Sequence, residues 1–123
     1  MISYDLDFET KRALMEIITG LRMTHIDPER VVCVRSRDSK SRKVLARCHV
    51  LPRIMQKALD MKAHYVIELV SEKYDKLDEE EKTKTLIHEL LHIPKAFGGG
   101  FRYHDYVSKR TVERLYEKLK ESR

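Results

Sequence analysis

The chain has 123 residues, and its 25 Lys and Arg against 20 Asp and Glu give a formal net charge of +5. The hydrophobic fraction of 41% and this length favour a single domain over residues 1–123. No apolar run is long enough to span a bilayer and no secretory leader pattern is present, so we expect a cytoplasmic protein. Asn is absent and Gln56 is the only Gln, a composition typical of thermophiles.

The first half of the chain predicts one helix and two strands. Apolar residues recur every three or four positions over residues 7–21, which predicts a helix. Two runs rich in β-branched residues, 31–37 and 44–51, flank the polar stretch 38–43. We expect these runs to form an antiparallel hairpin with a long basic tip.

The second half predicts two further helices and a strand around a central motif helix. Residues 52–60 fit a short helix, and the apolar run at 64–70 fits a strand. A last helix is expected over residues 103–120. This order of elements predicts an α+β fold with a small antiparallel sheet and helices at both ends.

The motif helix has clear start and stop signals. Asp78 followed by Glu81 forms a capping box in which acidic residues occupy the first turn. Pro94 cannot continue a helix, so the helix is expected to run to Ile93. Within it, residues 88–92 read H-E-x-x-H.

This motif indicates metal-dependent hydrolysis. His88 and His92 lie one helical turn apart, so their imidazoles can converge on one metal ion. Glu89 can hold a metal-bound water and take its proton, which is the chemistry of a zinc peptidase. An amphipathic helix with two surface histidines is the alternative interpretation. The apolar residues opposite the histidines would dock on the core: Leu86, Ile87, Leu90, Leu91 and Ile93.

A catalytic zinc ion needs a third protein ligand, and His104, Asp105, Glu113 and Glu117 follow the motif. On the predicted last helix, His104 shares the apolar face. Glu113 and Glu117 lie on the opposite, charged face. We therefore favour His104 as the third ligand, with Glu113 as the alternative.

The stretch before His104 combines glycines with aromatic residues. Glycines at 98–100 let the chain reverse, either to return His104 over the metal or as an ordinary connection. Tyr103 and Tyr106 flank His104, and either hydroxyl could stabilise the oxyanion of a transition state. Packing alone is the other interpretation of these tyrosines.

The predicted hairpin is strongly basic. Its side chains could grip phosphates of a nucleic acid, or could form a solvated tip that protects an edge from aggregation. The candidate contacts are Arg35, Arg37, Lys40, Arg42, Lys43 and Arg47.

The two cysteines, Cys33 and Cys48, would lie opposite each other in a symmetric hairpin. They could form a cross-strand disulfide or remain as two buried thiols, and we expect thiols.

Residues 88–94 (H-E-L-L-H-I-P) and 97–104 (F-G-G-G-F-R-Y-H) resemble the zincin metallopeptidases. The likeness is closer to the small SprT-like and the archaeal or phage-type predicted metallopeptidases. It implies a zincin-like fold in which an edge strand before the motif helix, here 64–70, binds an extended peptide by β-augmentation. The metzincin pattern does not occur in these residues, and we expect no zinc ribbon or added DNA-binding domain.

The same resemblance assigns the site. It implies that His88, His92 and, less directly, His104 bind one zinc ion, and that Glu89 is the general base. The leading hypothesis is therefore a zinc metallopeptidase that acts on a peptide or protein substrate.

Two other interpretations remain open. One is a non-catalytic, zinc-stabilised nucleic-acid-binding module that uses the basic hairpin 35–47. The other is a latent proenzyme whose cleft is blocked by its own termini.

Overall fold

The computed structural model describes residues 1–41, 43–104 and 106–123, in which helices pack on a mixed β-sheet. The strands described are β1 (Ser3–Leu6), β2 (Val31–Arg37), β3 (Ala46–Val50) and β4 (Tyr65–Val70). The α-helices described are α1 (Phe8–Gly20), α2 (Arg53–Leu59), α3 (Ser71–Tyr74), α4 (Glu79–Leu91) and α5 (Lys109–Glu121). The predicted α+β class, with helices near both ends, is confirmed.

Helix α1 matches the helix predicted over residues 7–21. Asp7 caps its N-terminus, because its carboxylate accepts a hydrogen bond of 2.9 Å from the Thr10 amide. Leu14 and Ile17 are buried on the face that α1 turns to the core. Strand β1 was not predicted, since its four residues are all exposed and leave no apolar pattern.

The sheet has the strand order β1-β2-β4-β3, so the predicted hairpin of β2 and β3 is wrong. Strand β4 lies between them, parallel to β2 and antiparallel to β3, and β1 pairs antiparallel with β2. The sheet is therefore mixed rather than antiparallel. The physical reason is burial: β4 is a nearly continuous apolar run suited to a central strand, whereas β3 is only partly buried.

This strand order separates the two cysteines. Cys33 on β2 and Cys48 on β3 both stand opposite Ile67 of β4, on either side of it. Two strand spacings put their Cα atoms about 10 Å apart, which is beyond the reach of a disulfide. Both are free thiols, as expected, and burial raises the pKa of each to about 12.

Helix α4 begins as predicted and ends slightly earlier. The Asp78 carboxylate caps it by accepting a hydrogen bond of 2.9 Å from the Glu81 amide. The last helical residue is Leu91, and His92 is the C-cap. Ile87 and Leu90 are buried in the core that α4 shares with α1, the sheet and α5.

Helix α5 begins six residues later than the sequence predicted. The Ser108 hydroxyl caps it by accepting a hydrogen bond of 3.2 Å from the Thr111 amide, so Lys109 is the first helical residue. Val112 and Leu119 bury its apolar face. In the part of the chain that the structure describes, no helix has the length and apolar character that a bilayer crossing needs.

Candidate metal centre

Helix α4 presents two imidazoles on one face, away from its buried leucine and isoleucine side chains. The ring centroids of His88 and His92 are 5.1 Å apart, as expected for residues one turn apart. His88 is half-buried at the wall of a cleft, and His92 is 4% exposed. The apolar side chains of α4 lie in the core as predicted, and His88 lines the cleft, whereas His92 is buried rather than open to it.

His104 joins these two side chains. Its ring centroid lies 5.3 Å from that of His88 and 5.1 Å from that of His92. In this cluster of three, the ligand nitrogens all lie within 4.8 Å of one another. Three imidazoles so close together could hold a metal ion.

Two of the other candidates for the third ligand, Glu113 and Glu117, pair with lysines, although Glu113 also lines the cleft that His88 lines. The Glu113 carboxylate is 2.9 Å from the Lys84 ammonium, and Glu117 is 3.1 Å from the ammonium of Lys120. Asp105 lies outside the described residues. His104 precedes α5, so the helical face on which it was selected does not include it. Its role as the third ligand stays a prediction.

The ring of His92 is oriented by the segment that follows α4. Its Nδ1 donates a hydrogen bond to the carbonyl oxygen of Arg102, and the Arg102 amide donates to the His92 carbonyl at 2.8 Å. Phe101 stacks on the imidazole with centroids 4.6 Å apart and planes inclined by 13°. Because Nδ1 carries the proton, Nε2 keeps the lone pair that a metal ion requires.

Burial keeps the imidazoles of His88 and His92 uncharged. Desolvation, together with the like charges of the nearby His92 and His104, lowers the pKa of His88 to about 4. Desolvation also lowers the pKa of His92. Both rings are therefore neutral near pH 7, which is the form that binds metal ions.

Glu89 is a buried carboxyl group beside the histidines. It is 5% exposed, and its Oε1 lies 3.9 Å from Nε2 of His92. Burial raises its pKa to about 7. A carboxyl group with that pKa can both accept and release a proton near neutral pH, as a general base must.

A cleft of about 530 Å³ opens beside His88 and Glu89. Its remaining walls come from the chain before and at the start of β3, from α4 and from the first turns of α5. The apolar part of the lining consists of Val44, Leu45, Ala46 and Val112. The cleft can therefore hold a chain segment with an apolar side chain next to the candidate base.

The strand beside this cleft is β3, so the prediction that residues 64–70 form an edge strand is wrong. Strand β4 is central, and among the described strands only β4 pairs with β3. The Val70 amide donates to the Leu45 carbonyl and the Leu51 amide to the His64 carbonyl, each at 3.0 Å. Since bonding alternates along an antiparallel pair, the intervening residues Ala46, Cys48 and Val50 direct their backbone groups outward.

The two tyrosines have packing contacts. The Tyr103 ring, 69% exposed, contacts Phe101 edge-on at 5.0 Å between centroids. The Arg102 guanidinium lies over the Tyr106 ring, 4.1 Å from its centroid. Stabilisation of an oxyanion by either hydroxyl stays a prediction.

Arg35 and Arg47, two of the basic residues assigned to the hairpin, do not share one surface. Arg35 stands opposite Leu69 of β4 and Arg47 opposite Glu68, so the two point to opposite faces of the sheet. Arg35 is also committed to ion pairs with Asp7 at 2.9 Å and with Asp75.

The other described basic residues of this set are ion-paired or exposed. Arg47 pairs with Glu68 at 3.4 Å and Arg37 with Asp5 at 3.6 Å, while Lys40 and Lys43 are exposed. Arg42 lies outside the described residues. Nucleic-acid contact by these residues stays a prediction. The hairpin on which that prediction was based does not form.

Sequence reasoning missed Tyr65. The buried Tyr65 hydroxyl donates to the Gly100 carbonyl at 2.7 Å and accepts from the Gly99 amide at 3.3 Å. The only signal was a tyrosine within an apolar strand, where a buried hydroxyl needs a partner. Nothing in the pattern identified the glycines as that partner.

Comparison with known proteins gives one match. The model of a family described as "Putative phage metallopeptidase" matches residues 3–120. The chain matches no curated protein and no solved structure. The matched range includes the three clustered histidines and Glu89. The match agrees with the predicted resemblance to metallopeptidases, whereas the closer likeness to SprT-like proteins stays a prediction.

Proposed function

The chain belongs to the phage metallopeptidase family, and from this premise we propose that it is a zinc-dependent peptidase. The observation that carries the proposal is the convergence of three imidazoles beside a buried carboxyl group. His88, His92 and His104 would hold the ion, and Glu89 would be the general base. Neutral nitrogen ligands of this kind suit zinc, which in catalytic sites takes three protein ligands.

The residues divide the chemistry of peptide hydrolysis between them. A bound zinc ion would polarise the scissile carbonyl and make water more acidic. Glu89 takes the proton from the attacking water and delivers it to the nitrogen of the leaving amine. Its burial supports both steps, because a raised pKa makes the carboxylate a stronger base, and a value of about 7 still allows the proton to leave near neutral pH.

We propose that the substrate binds as an extended strand along β3. The outward backbone groups of Ala46, Cys48 and Val50 offer hydrogen bonds to a peptide, as in β-augmentation. Cys48 lies close enough to Glu89 for the carboxylate charge to raise the pKa of its thiol, in addition to burial. A peptide on this edge would therefore pass near the general base.

The cleft beside His88 would receive a substrate side chain next to the scissile bond. Val44, Leu45 and Val112 make part of its lining apolar. We therefore propose a preference for substrates with a large apolar residue at that position.

The test compares wild-type protein with Glu89→Gln on unfolded, fluorescently labelled casein in the presence of zinc. Cleavage should fall about 10²–10⁴-fold, because the general base is lost while the shape of the side chain is kept. Zinc stoichiometry, measured by mass spectrometry of the dialysed protein, should be unchanged. Glu79→Gln is the matched control, since Glu79 is exposed on the first turn of the same helix. Wild-type cleavage by Glu89→Gln would contradict the proposal.

A further inference from the structure

Residues 94–102, the return loop, leave the end of α4 and come back to it. The Phe97 amide donates to the Pro94 carbonyl at 3.0 Å, which makes the first turn. At the other end, the Arg102 amide donates to the His92 carbonyl at 2.8 Å. The loop therefore starts and finishes beside His92.

The middle of the return loop is bound to the central strand by one side chain. Tyr65 is 0% exposed, and its hydroxyl bonds to the Gly100 carbonyl and the Gly99 amide. Its ring packs on Phe97 with centroids 5.2 Å apart. Gly99 has a φ of +106°, a conformation that favours glycine, so another residue would strain the turn that these hydrogen bonds hold.

The two residues that follow this anchor make the contacts that orient His92. Phe101 stacks on the imidazole, and the Arg102 carbonyl accepts from Nδ1. Successive Cα atoms are 3.8 Å apart, so fixing Gly100 restricts where Phe101 and Arg102 can lie. Tyr65 thus influences the position of His92 indirectly, through the short stretch of backbone between Gly100 and Arg102.

A purely structural role would explain the ring of Tyr65 but not its hydroxyl. Phenylalanine would fill the same space among buried apolar side chains without needing a hydrogen-bond partner. Here the hydroxyl satisfies two backbone groups of the loop that carries the contacts to His92. The position of the Tyr65 hydroxyl therefore influences the geometry of the candidate metal centre.

We propose that Tyr65 is a positioning residue for this centre. Its hydroxyl fixes Gly99 and Gly100, so that the Arg102 carbonyl holds Nδ1–H of His92 and Nε2 faces His88 and His104. That the three histidines form a metal centre rests on the proposed function. The orientation of the His92 ring does not, because it follows from contacts within the chain itself.

The first experiment measures metal binding in Tyr65→Phe, with Co²⁺ as the probe and a competing chelator. The Co²⁺ affinity should fall about 10-fold, as for other residues that orient a ligand, and the visible d–d bands should change. Tyr74→Phe is the matched control, because Tyr74 is also buried but lies under Arg35 on another side of the core. Wild-type affinity and spectrum in Tyr65→Phe would overturn the proposal.

The second experiment uses the metal-free protein. Long-range ¹H–¹⁵N spectra of the imidazoles should show the Nδ1–H tautomer of His92 in the wild type and a mixture of tautomers in Tyr65→Phe. An unchanged tautomer would overturn the proposal. If the wild type bound no Co²⁺, the proposed function would fall, while these spectra would still decide the role of Tyr65.

A pair of glycine variants keeps the test independent of substitutions at Tyr65. In Gly99→Ala the new methyl would lie 2.5 Å from the Gln56 amide nitrogen and strain the positive φ, which should displace the loop. In Gly98→Ala the nearest atom is 3.8 Å away. Gly99→Ala should lose Co²⁺ affinity and Gly98→Ala should keep it. Equal affinities in both would argue against a positioning loop.

Discussion

The backbone of Arg102 holds His92 at two points: its amide donates to the His92 carbonyl and its carbonyl accepts from Nδ1. His92 is the C-cap of α4, where carbonyl groups lack partners within the helix. One residue of the return loop therefore completes the helix end and orients the imidazole. The end of the motif helix and the candidate metal centre are stabilised by the same contacts.

The third ligand can be identified by replacing the two candidates separately. His104→Ala should weaken Zn²⁺ binding at least 10-fold, because one of three imidazoles is lost. Glu113→Gln should bind Zn²⁺ normally, because its carboxylate pairs with Lys84 instead. Competition with a fluorescent chelator measures both affinities. The opposite pattern, with loss only in Glu113→Gln, would refute the assignment of His104.

Removal of metal should abolish hydrolysis without unfolding the chain. The core of leucine, isoleucine and valine side chains lies on the other side of α4 from the histidines. After dialysis against a chelator, circular dichroism should keep its helical signal while casein cleavage stops.

Adding Zn²⁺ back should restore cleavage and raise the thermal midpoint, since a ligand at 100 times its Kd stabilises by about 2.7 kcal/mol. A chain that unfolds on chelation and never cuts casein would instead fit a protein in which zinc is only structural.

Acid should weaken the contact between α1 and the sheet through Asp7. Burial alone would raise the pKa of Asp7, but hydrogen bonds from Thr10 and the charge of Arg35 outweigh it, so the pKa is lowered. The stability from this group is present above the unfolded pKa of about 3.9 and is lost as the pH falls through the folded pKa. Urea unfolding between pH 3 and 7 measures the effect.

The variant Asp7→Asn separates this group from other carboxyl groups. At pH 7 its free energy of unfolding should fall by about 1.5–3 kcal/mol, the range for a hydrogen bond to a charged group. Its difference from the wild type should shrink toward pH 3. Asp60→Asn is an exposed control. A difference that stays constant with pH would show that the charge of Asp7 contributes nothing.

The apolar cleft can be tested at Leu45, which lines it at its exposed edge. Leu45→Asp should lower kcat/KM about 10-fold for peptides with a large apolar residue beside the scissile bond. Peptides with alanine there should be affected less. Leu59→Asp is the control, since Leu59 is exposed on α2 and does not line the cleft. Equal losses for both peptides would argue against a side-chain pocket.

Local signals in the sequence predicted the parts of the structure that depend on local interactions. Asp78 and Pro94 indicated the bounds of α4, and periodicity gave α1 and α2 to within a residue or two. Strand order depends on which strand is most completely buried. That burial depends on contacts between residues far apart in the chain. The apolar run at β4 contained this information, but adjacency along the chain favoured the hairpin.

The candidate site likewise has one part that local sequence signals predicted and one part that they did not. His88, Glu89 and His92 follow from helical spacing, which is local. The position of His104 depends on backbone contacts of Arg102 and Gly100, for which side-chain patterns carry no signal. Helix α5 starts after its capping residue Ser108. The apolar pattern alone had predicted an earlier start.

The short outer edge of β3 has a consequence for turnover. Ala46, Cys48 and Val50 together offer the backbone groups that a bound peptide would use. Cleavage of that peptide would divide these hydrogen bonds between two fragments, so each product would be held by fewer bonds than the substrate. Product release would then follow from the cut itself, without a moving lid.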